Sequence, residues 1–192
     1  MLKKAGLLLL FLCFSAASSA DWQLDNNNSW LNFVTVKKMD TTEQGKFKTL
    51  AGTINEEGQV ELKIDLTSVD TNIPVRDERI KKLLFQTTQF AEATLSAQLD
   101  MAKINSLAVG KMQVMPISVV LNLHGIKQNI NGHVAVTRLT KKKLLVISQG
   151  VIFLKAVDFN LMQGIEKLRQ IAKLPHISRV IPVIFTFTFN KI

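Results

Sequence analysis

One cysteine, no tyrosine, three histidines and four prolines occur in the 192 residues of this sequence, and each scarcity closes off a class of chemistry. The cysteine, Cys13, lies inside an N-terminal apolar run, so residues 21–192 carry no thiol and can form neither a disulfide nor a paired-cysteine redox centre. His124 stands beside a turn, His133 on the polar face of a strand-like segment and His176 directly after Pro175. None of the three has a second histidine or a carboxylate at metal-ligand spacing, so no metal site is expected and all three read as scattered surface residues. A glycine-rich phosphate loop, a Gly-x-Ser-x-Gly elbow, internal repeats, linkers and low-complexity tracts are also missing, and no catalytic residue is assigned. Negative charge is in short supply, with 15 acidic against 24 basic side chains. The excess is scattered. Its longest run, Lys141-Lys142-Lys143, falls between apolar stretches and reads as a solvated turn, so nucleic acid is not expected as a partner.

What is present begins with an address. Lys3 and Lys4 precede an unbroken apolar run from Leu7 to Phe14, followed by Ser15-Ala16-Ala17-Ser18-Ser19-Ala20 and then Asp21. A basic start, a short apolar core and small residues at a cleavage point form the pattern of a secretory signal peptide. The core falls well short of the roughly 20 apolar residues that span a bilayer, which disfavours a retained anchor. Leu12 occupies the position before Cys13 where a lipoprotein signal needs a small residue, so lipid attachment is not expected. Residues 1–20 are read as a cleaved signal and residues 21–192 as one domain working in the periplasm. Taking the first 20 residues from 192 leaves 172, and loss of Lys3 and Lys4 brings the formal charge from +9 to +7. For an exported basic protein, an anionic membrane surface or an anionic ligand head group is the natural partner.

Alternation dominates the remainder. In Val60-Glu61-Leu62-Lys63-Ile64-Asp65-Leu66 apolar side chains occupy every second position and charges the others, as a strand with one dry and one wet face requires. Met115, Ile117, Val119, Leu121 and Leu123 repeat the pattern, as do Ile181, Val183, Phe185, Phe187 and Phe189. Weaker versions run through residues 30–36, 94–99, 130–136 and 144–151, with turns at Asn55-Glu56-Glu57-Gly58, His124-Gly125 and 140–143. Two segments have helical spacing instead: Pro74 to Phe85, and Leu161, Ile165, Leu168 and Ile171 on the way to Pro175. The expectation is an all-β antiparallel sheet of seven or eight strands, closed into a barrel that removes exposed edges, with two helical insertions.

A barrel of about eight strands can fill itself with side chains or hold one apolar ligand, and periodicity does not choose between them. Phe185, Phe187 and Phe189 in a row would crowd a narrow barrel unless small residues elsewhere compensate. The block Arg76-Asp77-Glu78-Arg79 reads as acidic residues favouring a helix start beside arginines in ordinary ion pairs.

Several short motifs extend this reading. Trp22-Gln23-Leu24-Asp25, Ser29-Trp30-Leu31-Asn32-Phe33, Gly52-Thr53-Ile54, the run Ile64 to Thr71, Val75-Arg76-Asp77 and His124-Gly125-Ile126-Lys127 follow one another along the chain. Their order and spacing resemble the YceI-like family of bacterial periplasmic proteins over nearly all of residues 21–192. The chain departs from that pattern at Asn28, where relatives carry histidine, and at Phe90-Ala91, where they carry an aromatic residue and proline. The resemblance implies an eight-stranded lipocalin-like barrel that holds a polyisoprenoid lipid, a polyprenyl quinone or polyprenyl phosphate, and that is not an enzyme. No other cofactor is implied, and with no tyrosine present a phenol cannot fix the head group. The expected ligand-binding residues are the inward ones of the alternating strands: Leu31, Phe33, Leu62, Ile64, Ile117, Val119, Leu121, Phe185 and Phe187. The segment Leu161–Leu174 is long for a connection and is read as a lid over the mouth or a transient contact with a membrane surface. The resemblance permits a homodimer and fixes no oligomeric state. The alternative is a filled barrel acting through its surface as an envelope or membrane interaction protein.

Overall fold

The computed structural model describes residues 20–192. The signal-peptide reading therefore lies outside the described residues, except that Ala20 opens the first strand. Twelve strand segments form one sheet: β1 (Ala20–Leu24), β2 (Trp30–Lys37), β3 (Thr41–Phe47), β4 (Leu50–Asn55), β5 (Gln59–Asp65), β6 (Val69–Asp70), β7 (Glu92–Gln98), β8 (Met112–Leu123), β9 (Ile126–Thr140), β10 (Lys143–Ser148), β11 (Ile152–Lys155) and β12 (Val180–Lys191). Every pairing is antiparallel, and the ring closes where β1 meets β12 with Leu24 opposite Phe189.

The twelve segments are eight staves. β1 and β2 both lie against β12, β3 and β4 form the next stave, β5 and β6 the third, and β10 and β11 together flank the other side of β12. Side-chain hydrogen bonds to the backbone interrupt the staves, because they offer the chain an alternative to the ladder. Asp25 accepts from the Asn28 N–H and Asp65 from the Thr67 N–H, each starting a single helical turn. Asn26 then stitches two interruptions together, accepting from the Leu50 N–H at 2.7 Å and donating to the Lys48 carbonyl at 3.1 Å.

Along β5, Val60, Leu62 and Ile64 are buried and Gln59, Glu61 and Lys63 exposed, as the alternation predicts. The crowding from the phenylalanines is relieved across the barrel. β7 stands four staves from β12 in the ring of eight, and it turns Ala93 and Ala97 toward the interior that Phe185 and Phe187 enter. One end is a closed floor. There Trp22 and Ile104, the latter from the short helix α2 (Met101–Ser106), are almost fully buried. Arg138 seals the floor by donating to the Ile104 carbonyl at 2.7 Å while its guanidinium lies 6.0 Å from the Trp22 ring. Sequence periodicity misses α2, because six residues are too few to display a helical stripe.

Two helices flank the other end. α1 (Pro74–Arg79) has proline in its first turn and continues without a break as a wider helical segment over Ile80–Phe85. α3 (Met162–Ile171) crosses that continuation at Gly164. Two expectations need correction here. Asp77 does more than favour a helix start: it is buried, and its carboxylate accepts from the Thr71 N–H at 2.9 Å and the Thr71 hydroxyl at 2.6 Å, tying α1 to the end of β6. His124 is not a surface residue. It is buried at a left-handed turn position (φ 55°) with its ring 4.3 Å from that of Phe90, since the tight β8–β9 turn brings His124 and Gly125 against that ring. Among the described residues no helix is long and apolar enough to cross a membrane.

Candidate functional site

Closing the staves leaves open space inside. A cavity of about 480 Å3 runs through the barrel, lined by the dry faces of its strands and by the undersides of the two helices at the mouth. Its volume lies within the roughly 300–1,000 Å3 of small-molecule sites. The filled barrel is accordingly not what this chain builds: paired alanines opposite stacked phenylalanines leave a void where large residues on both sides would have closed it.

All nine residues expected from the alternating strands stand on this wall: Leu31, Phe33, Leu62, Ile64, Ile117, Val119, Leu121, Phe185 and Phe187. Phe185 and Phe187 stack with centroids 4.4 Å apart and planes 15° from parallel. Phe33 begins a second aromatic line, 5.5 Å from Phe47, which is 5.9 Å from Phe85 of the helical continuation. Gly45 makes this line possible. It sits directly across from Phe33 in the β2–β3 ladder, and a Cβ placed there would fall 2.3 Å from the Phe33 ring, so only glycine lets the ring lie over the strand.

Sequence reasoning reads Leu161–Leu174 as a lid over the mouth or a membrane contact but names no helical residue for the wall. Ile80, Leu84 and Phe85 from the first helical segment, with Leu161, Ile165 and Leu168 from around α3, cap the staves and face the cavity. Their 3.6-residue spacing shows amphipathic helices but does not choose between the mouth and a membrane for the later one, and gives no surface at all for the apolar stripe of the first. The readable signal was Gly164, a small residue on the packed side of α3.

Charge enters the lining through Lys37, Arg76, Arg79 and Lys155, and among the described residues no carboxylate does. Glu43 stands behind the wall and serves two of these cations at once, contacting the Lys37 ammonium at 2.6 Å and the Arg76 guanidinium. The arginines are thus not all ordinary surface pairs: Arg76 is drawn inward to a carboxylate it shares. Burial pushes the Lys37 ammonium below the usual lysine range, reinforced by Arg76 and then Lys38, and burial likewise lowers Arg76. A lysine and an arginine offer hydrogen-bond donors and no acceptors. The charged groups of the mouth therefore form a cationic collar on an apolar cavity, and none of them can accept a hydrogen bond. Among the described residues no group of three or more histidines, cysteines, aspartates or glutamates gathers to hold a metal.

A family model described as the YceI-like domain matches residues 22–189. None of the curated proteins compared matches the chain. Among solved structures, a polyisoprenoid binding domain from Saccharophagus degradans, implicated in plant cell wall breakdown, is similar at 37% identity and a TM-score of 0.89, covering 91% of this chain and 100% of that one. BcnA of Burkholderia cenocepacia shares the fold at 17% identity and a TM-score of 0.66, over 86% of this chain and 98% of its own. A Campylobacter jejuni YCEI protein does so at 15% identity and a TM-score of 0.56, over 77% of this chain and 84% of its own.

Proposed function

The chain belongs to the YceI-like domain family, and from that premise we propose that it is an exported binding protein, not an enzyme, holding a polyisoprenoid lipid in the barrel interior for storage or transport. The observation that carries the reading is the apolar cavity of about 480 Å3 whose charged lining is cationic throughout. The similar Saccharophagus degradans domain, described as polyisoprenoid binding, supports the same class of ligand.

Polyprenyl chains are driven out of water at about 25 cal/mol per Å2 of apolar surface, near 0.8 kcal/mol for each buried CH2. Aliphatic and aromatic walls supply that gain without directional contacts, so chain length is limited by space. Direction comes from the collar. Lys37 and Arg76 donate to the acceptor oxygens of a head group, the carbonyls of a polyprenyl quinone or the phosphate of a polyprenyl phosphate, while the tail extends toward the floor at Ile104. The nine inward residues named above contact the tail. Residues 1–20 direct export to the periplasm and are removed.

The test is to produce the full chain in a Gram-negative host, purify it from the periplasm, extract it with organic solvent and identify co-purified lipids by mass spectrometry. A stoichiometric polyprenyl species supports the reading and names the head group; a folded protein with a clean extract overturns it. An intact-mass measurement on the same sample reads the N-terminus, and a product beginning at Asp21 is expected.

A further inference from the structure

The rim outside the collar has a composition that cargo binding does not require. Three segments meet there. The β2–β3 turn carries Lys38 and Met39, the start of α1 follows Ile73, and the end of α3 leads into residues 172–178. They are tied into one surface: the Lys38 N–H donates to the His176 carbonyl at 3.0 Å, the Ser178 N–H to the Val36 carbonyl at 2.8 Å, and Arg76 reaches Glu43 across the gap. Large apolar side chains stand out from this rim, with Met39 90% exposed and Val75 57% exposed, and Ile171 and Ile73 exposed beside them. Ile73 and Val75 also line the cavity. Apolar surface therefore reaches from the interior onto the outside at Ile73 and Val75, beside the cations of the collar.

Charge surrounds these apolar residues. Lys38, Arg79 and Lys173 are exposed on the rim, whereas of the nearby carboxylates Glu43 is shared by two cations and Glu78 is paired with Lys81, leaving Asp40 facing solvent. Two of the lysines sit where a lysine is disfavoured. Lys173 is the left-handed residue ending α3 (φ 52°), with its own N–H on the Gln170 carbonyl and the Leu174 N–H on the Arg169 carbonyl. That helix ending normally takes glycine. Lys38 is likewise left-handed (φ 56°) in a turn that glycine or asparagine would make more easily. Local backbone preference does not explain these lysines, but an outward cation at each turn does.

We propose that this rim is a docking surface for an anionic phospholipid bilayer, in which Met39, Ile73, Val75 and Ile171 enter the head-group layer while Lys38, Arg79 and Lys173 meet lipid phosphates. Docked this way, the cavity opens onto the membrane and an apolar molecule crosses between the two without exposure to water. Each lysine or arginine at an anionic surface contributes on the order of a fivefold gain in partitioning. The proposal goes beyond the cargo reading and does not depend on it, because docking is measured on vesicles containing no isoprenoid.

The experiment is flotation of the full chain with phosphatidylglycerol-containing vesicles and with pure phosphatidylcholine vesicles, at low and high salt. Binding to the anionic vesicles that weakens with salt is expected. The double variant K38E/K173E should lose more than tenfold in partitioning on the same scale, and M39D/V75D should abolish binding. Val109→Asp, at an exposed position near the floor, should leave binding unchanged, and circular dichroism melts check that every variant folds. Three results would overturn the docking surface: no binding to anionic vesicles, equal binding to neutral ones, or sensitivity to V109D with none to the mouth variants. A protein that yields polyprenyl lipid on extraction but ignores vesicles would sink docking alone.

Discussion

Gly164 and Leu84 meet backbone to backbone: a Cβ built on Gly164 would lie 2.7 Å from the Leu84 Cα and equally close to the Leu83 carbonyl oxygen. This contact sets how closely α3 can settle on the helical segment Ile80–Phe85, and both elements roof the cavity. Alanine at that position gains about 1 kcal/mol of helix propensity. Backbone atoms cannot rotate aside, however, and overpacking of this kind costs about 1–3 kcal/mol. Gly164→Ala should therefore be destabilising on balance and Gly164→Val more so. Urea unfolding of the two variants checks the order; a stabilised G164A would show that the helices have room to separate.

Val119 faces the cavity and pairs across the ladder with Ala97. That small neighbour leaves space for a larger ring to turn inward. Val119→Trp is expected to fill the interior, keep the fold and cut co-purified lipid severely, as read by extraction and mass spectrometry beside a thermal melt. Unchanged lipid content in a folded variant would count against an interior site.

Glu43 neutralises a crowd. With Glu43→Gln, Lys37 and Arg76 keep their positions near one another but lose the carboxylate they share. All three side chains are less than a third exposed, so solvent screening is partial, and loss of the shared negative charge, with an amide NH2 in place of one acceptor oxygen, should cost about 1–3 kcal/mol. A denaturant midpoint equal to that of the parent chain would mean that the pair of cations does not rely on this carboxylate.

The carboxyl of Glu166 should titrate far below its ordinary value of 4.5, at about 2, chiefly because Arg169 donates to it twice, at 2.8 and 2.7 Å, with Gln170 adding a third donor. The sign follows from the lowered value. The stabilising contribution is complete above the unfolded carboxyl range and disappears as pH falls through about 2. Arg169 also donates to the Leu174 carbonyl at 2.8 Å, so acid should loosen the end of α3 first. A carboxyl-detected NMR titration gives the midpoint directly, and a value near 4.5 would refute the ion-paired geometry.

Much of the wall was legible one residue at a time. Strict alternation in Val60–Leu66, Met115–Leu123 and Ile181–Phe189 assigns each side chain to a face, since successive side chains of a strand point to opposite sides, and all nine chosen residues fall on the cavity wall. Shorter pieces escaped notice. Strand β3 runs Thr-Thr-Glu-Gln-Gly-Lys-Phe, with almost no apolar alternation, and it is a strand because β2 on one side and β6 at its end supply ladder partners. β11 holds four residues, too few for a period to declare itself.

Local pattern thus decides strand, helix and facing, because each depends on neighbours within a few positions. Whether the barrel is hollow depends on pairs far apart in the chain. Ala93 and Ala97 become gaps only when β7 closes opposite Phe185 and Phe187, Glu43 finds Arg76 across 33 positions, and Gly164 becomes a contact point only when α3 folds back on Leu84. These juxtapositions are set by ring closure and helix crossing, which carry no local period, and so the cavity, its cationic collar and its rim belong to the tertiary structure.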